Sequence, residues 1–207
     1  MKKPAFIRTT IAAVLLALTA GCASLITAPA NTEAAALRAG EYRLDPAHAS
    51  LLFKVDHLGL STYVGRFNSF EATLDFDETD PSAARLDVRV DVASLDVNDA
   101  DFSATLTGPD WLNAAGHPQA QFTSTRIVVS GENTGVATGD LTLNGVTRPA
   151  SLAITFRGGA RNRLTGRYTL GFDGAMTLDR TAFGIDRFVG AVGTDVTLEF
   201  HGEFQRQ

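Results

Sequence analysis

An all-β antiparallel fold of about eight strands, either a sandwich or a closed barrel, with one short helical insertion, is what this chain predicts. Three observations carry that expectation. From Glu41 onward, apolar and polar residues alternate with a period of two, as in half-buried strands with one wet face. Turn signals recur at short spacing, with Asn144-Gly145 the clearest. The strand–helix–strand rhythm of a parallel sheet is missing from the sequence.

Taken in order, the chain begins with an address. Lys2, Lys3 and Arg8 precede an apolar run from Ile11 to Leu18, and small residues follow to Gly21. This reads as a bacterial export signal over residues 1–21, with an apolar run too short to span a bilayer. Cys22 directly follows Ala20-Gly21, and the segment resembles the lipobox of bacterial lipoproteins. That resemblance implies cleavage before Cys22 and a diacylglycerol on its thiol, an anchor and not a ligand. Ordinary cleavage after Ala23, leaving a soluble periplasmic protein, is the alternative. Ala23 and Ser24 follow the cysteine with no Asp in second place, which by the same resemblance implies the outer membrane. Residues 22–40 are small and Ala-rich and read as lipid anchor plus flexible tether, and residues 41–207 as the folded domain.

Within the domain, Leu74 and Phe76 alternate with Thr73, Asp75 and Asp77. Leu86, Val88, Val90 and Val92 alternate with Asp87, Arg89 and Asp91. Residues 99–107 break the pattern and predict a helix, with Asp99 or Asp101 as its N-cap. Gly108-Pro109 ends it, and Pro109 starts a second short helix that Gly116 stops. Asn144-Gly145 sits between Leu143 and Val146 as a two-residue hairpin turn. Strand alternation returns at Leu152, Ile154 and Phe156, at Tyr168, Leu170 and Phe172, and at Val196, Leu198 and Phe200. Gly131, Gly158-Gly159 and Gly193 mark further turns or kinks.

The composition narrows the function. Lys plus Arg is 18 and Asp plus Glu is 23, a net charge of −5 that argues against nucleic acid as the main partner. Without Lys2, Lys3 and Arg8 the charge becomes −8. A lone cysteine rules out an internal disulfide framework and a cysteine-rich metal site. His48 and His57 with Asp45 or Asp56 could hold a metal, but their spacing repeats no ligand pattern, so turn-forming or strand-paired histidines and no metal are expected. Ser50 near His48 and Asp45 lacks the geometry of a triad, and no nucleophile elbow, zinc-protease helix or phosphate loop is written in the chain. Neither an enzyme nor a cofactor is expected. Arg157, Arg161, Arg163 and Arg167 surround a Gly-rich turn and read as a solvated hairpin tip, with an anionic head-group or a membrane surface as the alternative.

Five segments in fixed order resemble the YceI-like family of polyisoprenoid-binding periplasmic proteins. They are Tyr42-Arg-Leu-Asp-Pro-Ala-His48-Ala-Ser50; Phe53-Lys-Val-Asp-His57-Leu-Gly59 with Gly65-Arg-Phe67; and Asp110-Trp-Leu with His117-Pro118 and Phe122-Thr-Ser124. Gly139 to Pro149 and Arg180-Thr-Ala-Phe183-Gly184 complete the set. The resemblance covers about residues 41–204. It implies a lipocalin-like, elongated barrel whose apolar channel holds an isoprenoid chain such as a polyprenyl quinone or polyprenyl phosphate. In that barrel Phe53, Phe67, Phe76, Trp111, Phe122, Phe156, Phe172, Phe183 and Phe200 are the candidate channel lining, and Arg180 is the candidate polar contact. In a sandwich the same rings would simply be core. The expected protein is a lipid-anchored, periplasm-facing outer-membrane lipoprotein that binds, and carries or stores, an isoprenoid lipid. A structural or stress-associated interaction protein without a small ligand is the alternative.

Overall fold

Because each strand buries alternate residues, the chain has to roll its apolar faces onto one another, and it does so by closing the sheet on itself. The computed structural model describes residues 30–33 and 36–207. The export signal and Cys22 lie outside those residues. The strands are β1 (Gly40–His57), β2 (Ser61–Phe67), β3 (Phe70–Phe76), β4 (Arg85–Asp91), β5 (Leu95–Asp96), β6 (Gln119–Val129), β7 (Thr134–Leu143), β8 (Val146–Arg161), β9 (Tyr168–Asp179) and β10 (Val192–Arg206). Helix α1 (Ala100–Leu106) separates β5 from β6.

Neighbouring strands run β1-β3-β4-β6-β7-β8-β9-β10, and β10 pairs back onto β1. Every pairing is antiparallel, so this is a closed eight-stranded barrel and not a sandwich. Strands β2 and β3 together serve β1: β3 pairs with residues 40–43 and β2 with residues 51–57. Strand β5 lies on the outer side of β2.

The bend that makes this possible is written in Asp45-Pro46-Ala47-His48. Leu44 faces Phe204, but Ala49 already faces Gly202, so four residues of β1 sit opposite one of β10. Pro46 has no N–H to offer a ladder and is placed where none is needed. Asp45 Oδ1 accepts from Ala47 N at 3.1 Å and Oδ2 meets His48 Nδ1 at 2.9 Å, which stiffens the bulge. The stretch is thus a single strand interrupted by a bulge.

Asp99 caps α1, its carboxylate accepting from Phe102 N at 3.0 Å. The second helix expected from Pro109 does not form. Asn113 adopts a left-handed φ of 49°, and Asn113 N and Ala114 N reach back to Gly108 O and Thr107 O, folding residues 108–116 into consecutive turns. Asn144 and Gly145 take φ of 49° and 73°, the left-handed pair that a tight hairpin between β7 and β8 requires.

The two ends of the barrel differ. At the end where β1 begins, residues 30–33 and 36–39 lie against the barrel as a strap. Asn31 exchanges two backbone hydrogen bonds with Gly159, at 2.9 and 2.7 Å, and Leu37 is 8% exposed within the core. Gly158-Gly159 lies inside β8 at a shift in register, a kink and not a turn. A Cβ on Gly158 would lie 2.7 Å from Ala30 Cβ, and one on Gly159 2.8 Å from Leu37 Cδ2, so the glycine pair is what lets the strap lie flat. Tyr42 Oη donates to Arg38 O at 2.5 Å, and burial pushes its phenol pKa up to about 12. The described part of the expected tether is therefore docked on the barrel wall. At the opposite end lie the β1–β2 turn, α1, the 108–116 turns and the 184–191 loop.

Candidate functional site: an apolar axial cavity

Strand alternation directs one side-chain set inward, and the inward set does not meet at the axis. It leaves a cavity of about 740 Å³ that runs from Leu37 and Phe76 at the strapped end to Phe102, Trp111 and Phe188 at the other. The volume falls within the range of about 300–1,000 Å³ usual for small-molecule sites. Its wall is apolar because each contributing strand offers the same kind of residue: Leu86, Val88 and Val90 from β4, Leu152 and Ile154 from β8, Val196 and Leu198 from β10.

Aromatic rings line one side as a continuous ladder. Phe156 and Phe172 have centroids 5.2 Å apart, Phe172 and Phe204 5.7 Å, Phe200 and Phe204 6.0 Å, and Phe70 meets Phe200 edge-on at 6.1 Å. Such pairs contribute about 0.5–1.5 kcal/mol each beyond their buried area. Phe53 lies over Gly65, its cross-strand partner on β2; a Cβ there would sit 2.3 Å from the ring. The glycine thus makes room for the ring, which leans on Phe67 at 6.2 Å.

Of the residues singled out from the sequence, Phe53, Phe67, Phe76, Trp111, Phe122, Phe156, Phe172 and Phe200 stand on the cavity wall. Phe183 does not. It ends a 3-10 turn (Arg180–Phe183), its ring is buried in the surrounding core, and its carbonyl accepts from Asn144 Nδ2 at 3.1 Å. Five more aromatic rings line the cavity that sequence reasoning passed over: Tyr63, Phe70, Phe102, Phe188 and Phe204. Phe70 shares the alternation of Ala72, Leu74 and Phe76, and Phe204 that of Phe200, so extending those two strands would have found them. Phe102 and Phe188 sit on a helix and a loop, where a period of two says nothing.

Arg180 also reaches the cavity wall, near the end that carries α1. It is 4% exposed, and its Nε, Nη1 and Nη2 donate to the carbonyls of Gly193 (2.8 Å), Ile185 (2.6 Å) and Val192 (3.0 Å). Burial pulls its pKa below the ordinary arginine value, while the charges of Asp179 and Asp186 pull the other way. The side chain is a positive charge set in an apolar wall and a clamp on the 184–193 segment at once. At the strapped end the wall includes Asn133, whose Oδ1 is buried without a hydrogen-bond partner among the described residues.

Of the remaining polar candidates, His57 borders the cavity, whereas His48, Arg157, Arg161 and Arg167 are not on its wall. His48 pairs with Asp45 at the β1 bend, His201 meets Asp173 at 2.8 Å, and His57 stacks loosely on Tyr63 at 6.5 Å. Among the described residues no three His, Cys, Asp or Glu side chains gather as a metal site. Around the β8–β9 turn, Arg157 pairs with Asp173 at 3.4 Å, Arg161 donates to Gly166 O and Arg167 to Gln205 Oε1.

A closed antiparallel barrel of eight strands, with a short helix beside one mouth and an apolar cavity along its axis, is a lipocalin-like barrel. The chain belongs to the YceI-like family: the YceI-like domain matches residues 42–204. A UPF0312 protein of Pseudomonas paraeruginosa is 37% identical over 171 residues, covering 82% of this chain and 88% of the relative. Among solved structures, BcnA of Burkholderia cenocepacia superposes with a TM-score of 0.71 at 26% identity, over 77% of this chain and 98% of that one. The YceI protein of Campylobacter jejuni gives 0.65 at 26% identity, over 74% and 91%. A Saccharophagus degradans domain described as polyisoprenoid-binding and implicated in plant cell wall breakdown shares the fold, at a TM-score of 0.58 and 12% identity over 82% of this chain and 100% of that one.

Proposed function

We propose that the barrel binds an isoprenoid lipid, a polyprenyl quinone or polyprenyl phosphate, as a periplasm-facing lipoprotein held at the outer membrane through Cys22. The observation that carries this reading is the axial cavity of about 740 Å³ with its apolar, ring-lined wall. A long hydrocarbon chain gains about 0.8 kcal/mol for each methylene-sized group it buries, so such a wall supplies affinity with few polar contacts. The description of the Saccharophagus domain as polyisoprenoid-binding supports the ligand class. Arg180 is the group that a phosphate or quinone carbonyl would meet. A guanidinium carries five N–H donors, and three hydrogen bonds to carbonyls hold this one in place. The tail would fill the ring-lined length toward Leu37, and a chain so held is carried or stored without chemistry on it.

Native mass spectrometry of the full chain after its own export, followed by organic extraction, tests this. A stoichiometric adduct identified as a polyprenyl species is the expected result. A clean apo mass, with no uptake of added prenyl quinone or prenyl phosphate, would favour a structural role for the barrel. Cys22→Ser is expected to move the protein from the membrane fraction to the soluble one; unchanged membrane association would overturn the anchor.

A further inference from the structure

The mouth opposite the strap carries side chains that water should disfavour. Leu60 is 84% exposed, Phe188 65%, and Leu58, Val189 and Phe102 are exposed as well. They form one rim. Leu58 N donates to Ala191 O at 2.8 Å, which ties the β1–β2 turn to the loop that bears Phe188 and Val189. Phe188 rests against Trp111 at 6.0 Å between centroids, and Phe102 against Tyr63 edge-on at 6.0 Å. Phe102, Phe188, Trp111 and Tyr63 also line the cavity, so the rim and the cavity wall are one continuous apolar surface. Leu58 and Phe188 hold left-handed φ of 59° and 53°, a conformation that bulky residues resist. Two loops accept backbone strain at the tips that present apolar side chains to solvent.

We propose that this rim docks on a zwitterionic lipid bilayer, so that a membrane-dissolved chain passes into the cavity without crossing water. The proposal rests on the lipid-binding reading above. Continuity with the cavity favours a bilayer over a protein partner, because the surface leads inward to a hydrocarbon-lined hole and not to a flat face. The charges beside the rim select the membrane type. Asp99 and Asp101 stand at the start of α1 beside Phe102, and Arg187 and Asp110 cancel one another as an ion pair, so the charge left beside this part of the rim is negative and disfavours an anionic surface. The rim also lies at the opposite end of the barrel from Asn31 and Leu37, so its docking is separate from any anchor on the N-terminal segment.

Trp111 is the only tryptophan of the chain and sits on this rim, which gives a local readout. The full chain, with and without Cys22→Ser, is mixed with phosphatidylcholine vesicles brominated on their acyl chains. Trp111 fluorescence is expected to be quenched in both, to recover when the vesicles are removed, and to be quenched less when phosphatidylglycerol is added. Leu60→Ser with Val189→Ser, neither of which lines the cavity, is expected to cut the quenching about fivefold while uptake of a prenyl quinone from detergent is unchanged. Leu60→Ser alone gives the same direction at the most exposed position.

Absence of quenching in the unmodified chain overturns the proposal and leaves the rim to a protein partner. So does equal quenching in the double variant, or quenching only when Cys22 is lipidated. Quenching that stays with the protein after the vesicles are gone also overturns it, since it would mean phospholipid captured in the cavity. Failure of quinone uptake with quenching intact would sink the lipid-binding reading instead and leave the docking.

Discussion

The strapped end and the rimmed end are built from the same kinds of residue and do opposite things with them. At the strap, Leu37 and Tyr42 are buried, and Asn31 is tied to Gly159 by two backbone bonds. At the rim, Leu60 and Phe188 stand in solvent, while Arg180, the Leu58–Ala191 backbone bond and the Arg187–Asp110 pair hold the 184–193 segment beneath them. Burying apolar surface stabilises a fold; leaving it exposed at a mouth forgoes that stability in exchange for a surface that can bind. The contrast teaches that one end of the barrel uses its apolar side chains for packing, while the other leaves them free for the docking proposed above.

Removing the clamp should break the contrast most. Arg180→Met strands the carbonyls of Ile185, Val192 and Gly193, and urea titration is expected to show a loss of about 3 kcal/mol, in line with the cost of unsatisfied buried acceptors. Hydrogen exchange should quicken for residues 184–193 while the Asn31 and Gly159 amides keep their protection; equal loosening at both ends would contradict the assignment. At the base, Leu37→Ala should cost about 2–3 kcal/mol as a buried large-to-small change and reverse that exchange pattern. Gly65→Ala sharpens the picture between the ends. Its Cβ would collide with Phe53 at 2.3 Å, costing about 1–2 kcal/mol in thermal unfolding and driving the ring into the cavity, with weaker uptake of a prenyl chain as the check.

The smallest effect is electrostatic and belongs to the β1 bend. The hydrogen bond from His48 holds Asp45 below its usual pKa, and Asp45 in turn raises His48. The histidine contribution is fully present below 6.5 and fades as pH rises through its raised folded value. The aspartate contribution is present above 3.8 and fades as pH falls through its lowered one. The pair therefore helps most between those two values. His48→Asn should flatten the melting temperature across that window by an amount worth a few tenths of a kcal/mol, because the His48 side chain is 59% exposed. An unchanged pH profile would show that the pair contributes nothing.

Strand positions were legible in the sequence because a half-buried strand must alternate, and Leu86 to Val92 or Leu152 to Phe156 can hardly do otherwise. Barrel closure was not legible that way: a sandwich buries the same faces, and only the pairing of β1 with β10 separates the two. The resemblance carried that distinction, as it carried the ligand class. The strap was hidden because its grip is a backbone exchange between Asn31 and Gly159, to which side-chain pattern is blind. The missing second helix turned on one residue, Asn113, entering the left-handed region. The rim escaped notice for a related reason: Leu60, Phe102 and Phe188 are scattered over three segments that share no period.

The seam that closes the barrel joins the first strand to the last. Tyr42 lies opposite Arg206, and Lys54 reaches Glu199 at 2.7 Å across the same seam. Contacts so distant in sequence slow folding, because the intervening chain must be ordered before they can form. Until β10 docks, β1 offers a bare edge and the ring-lined faces of β8 and β9 have no enclosure. A chain emerging N-terminus first therefore has strands before it has a container, and its cavity is enclosed only once β10 has paired with β1.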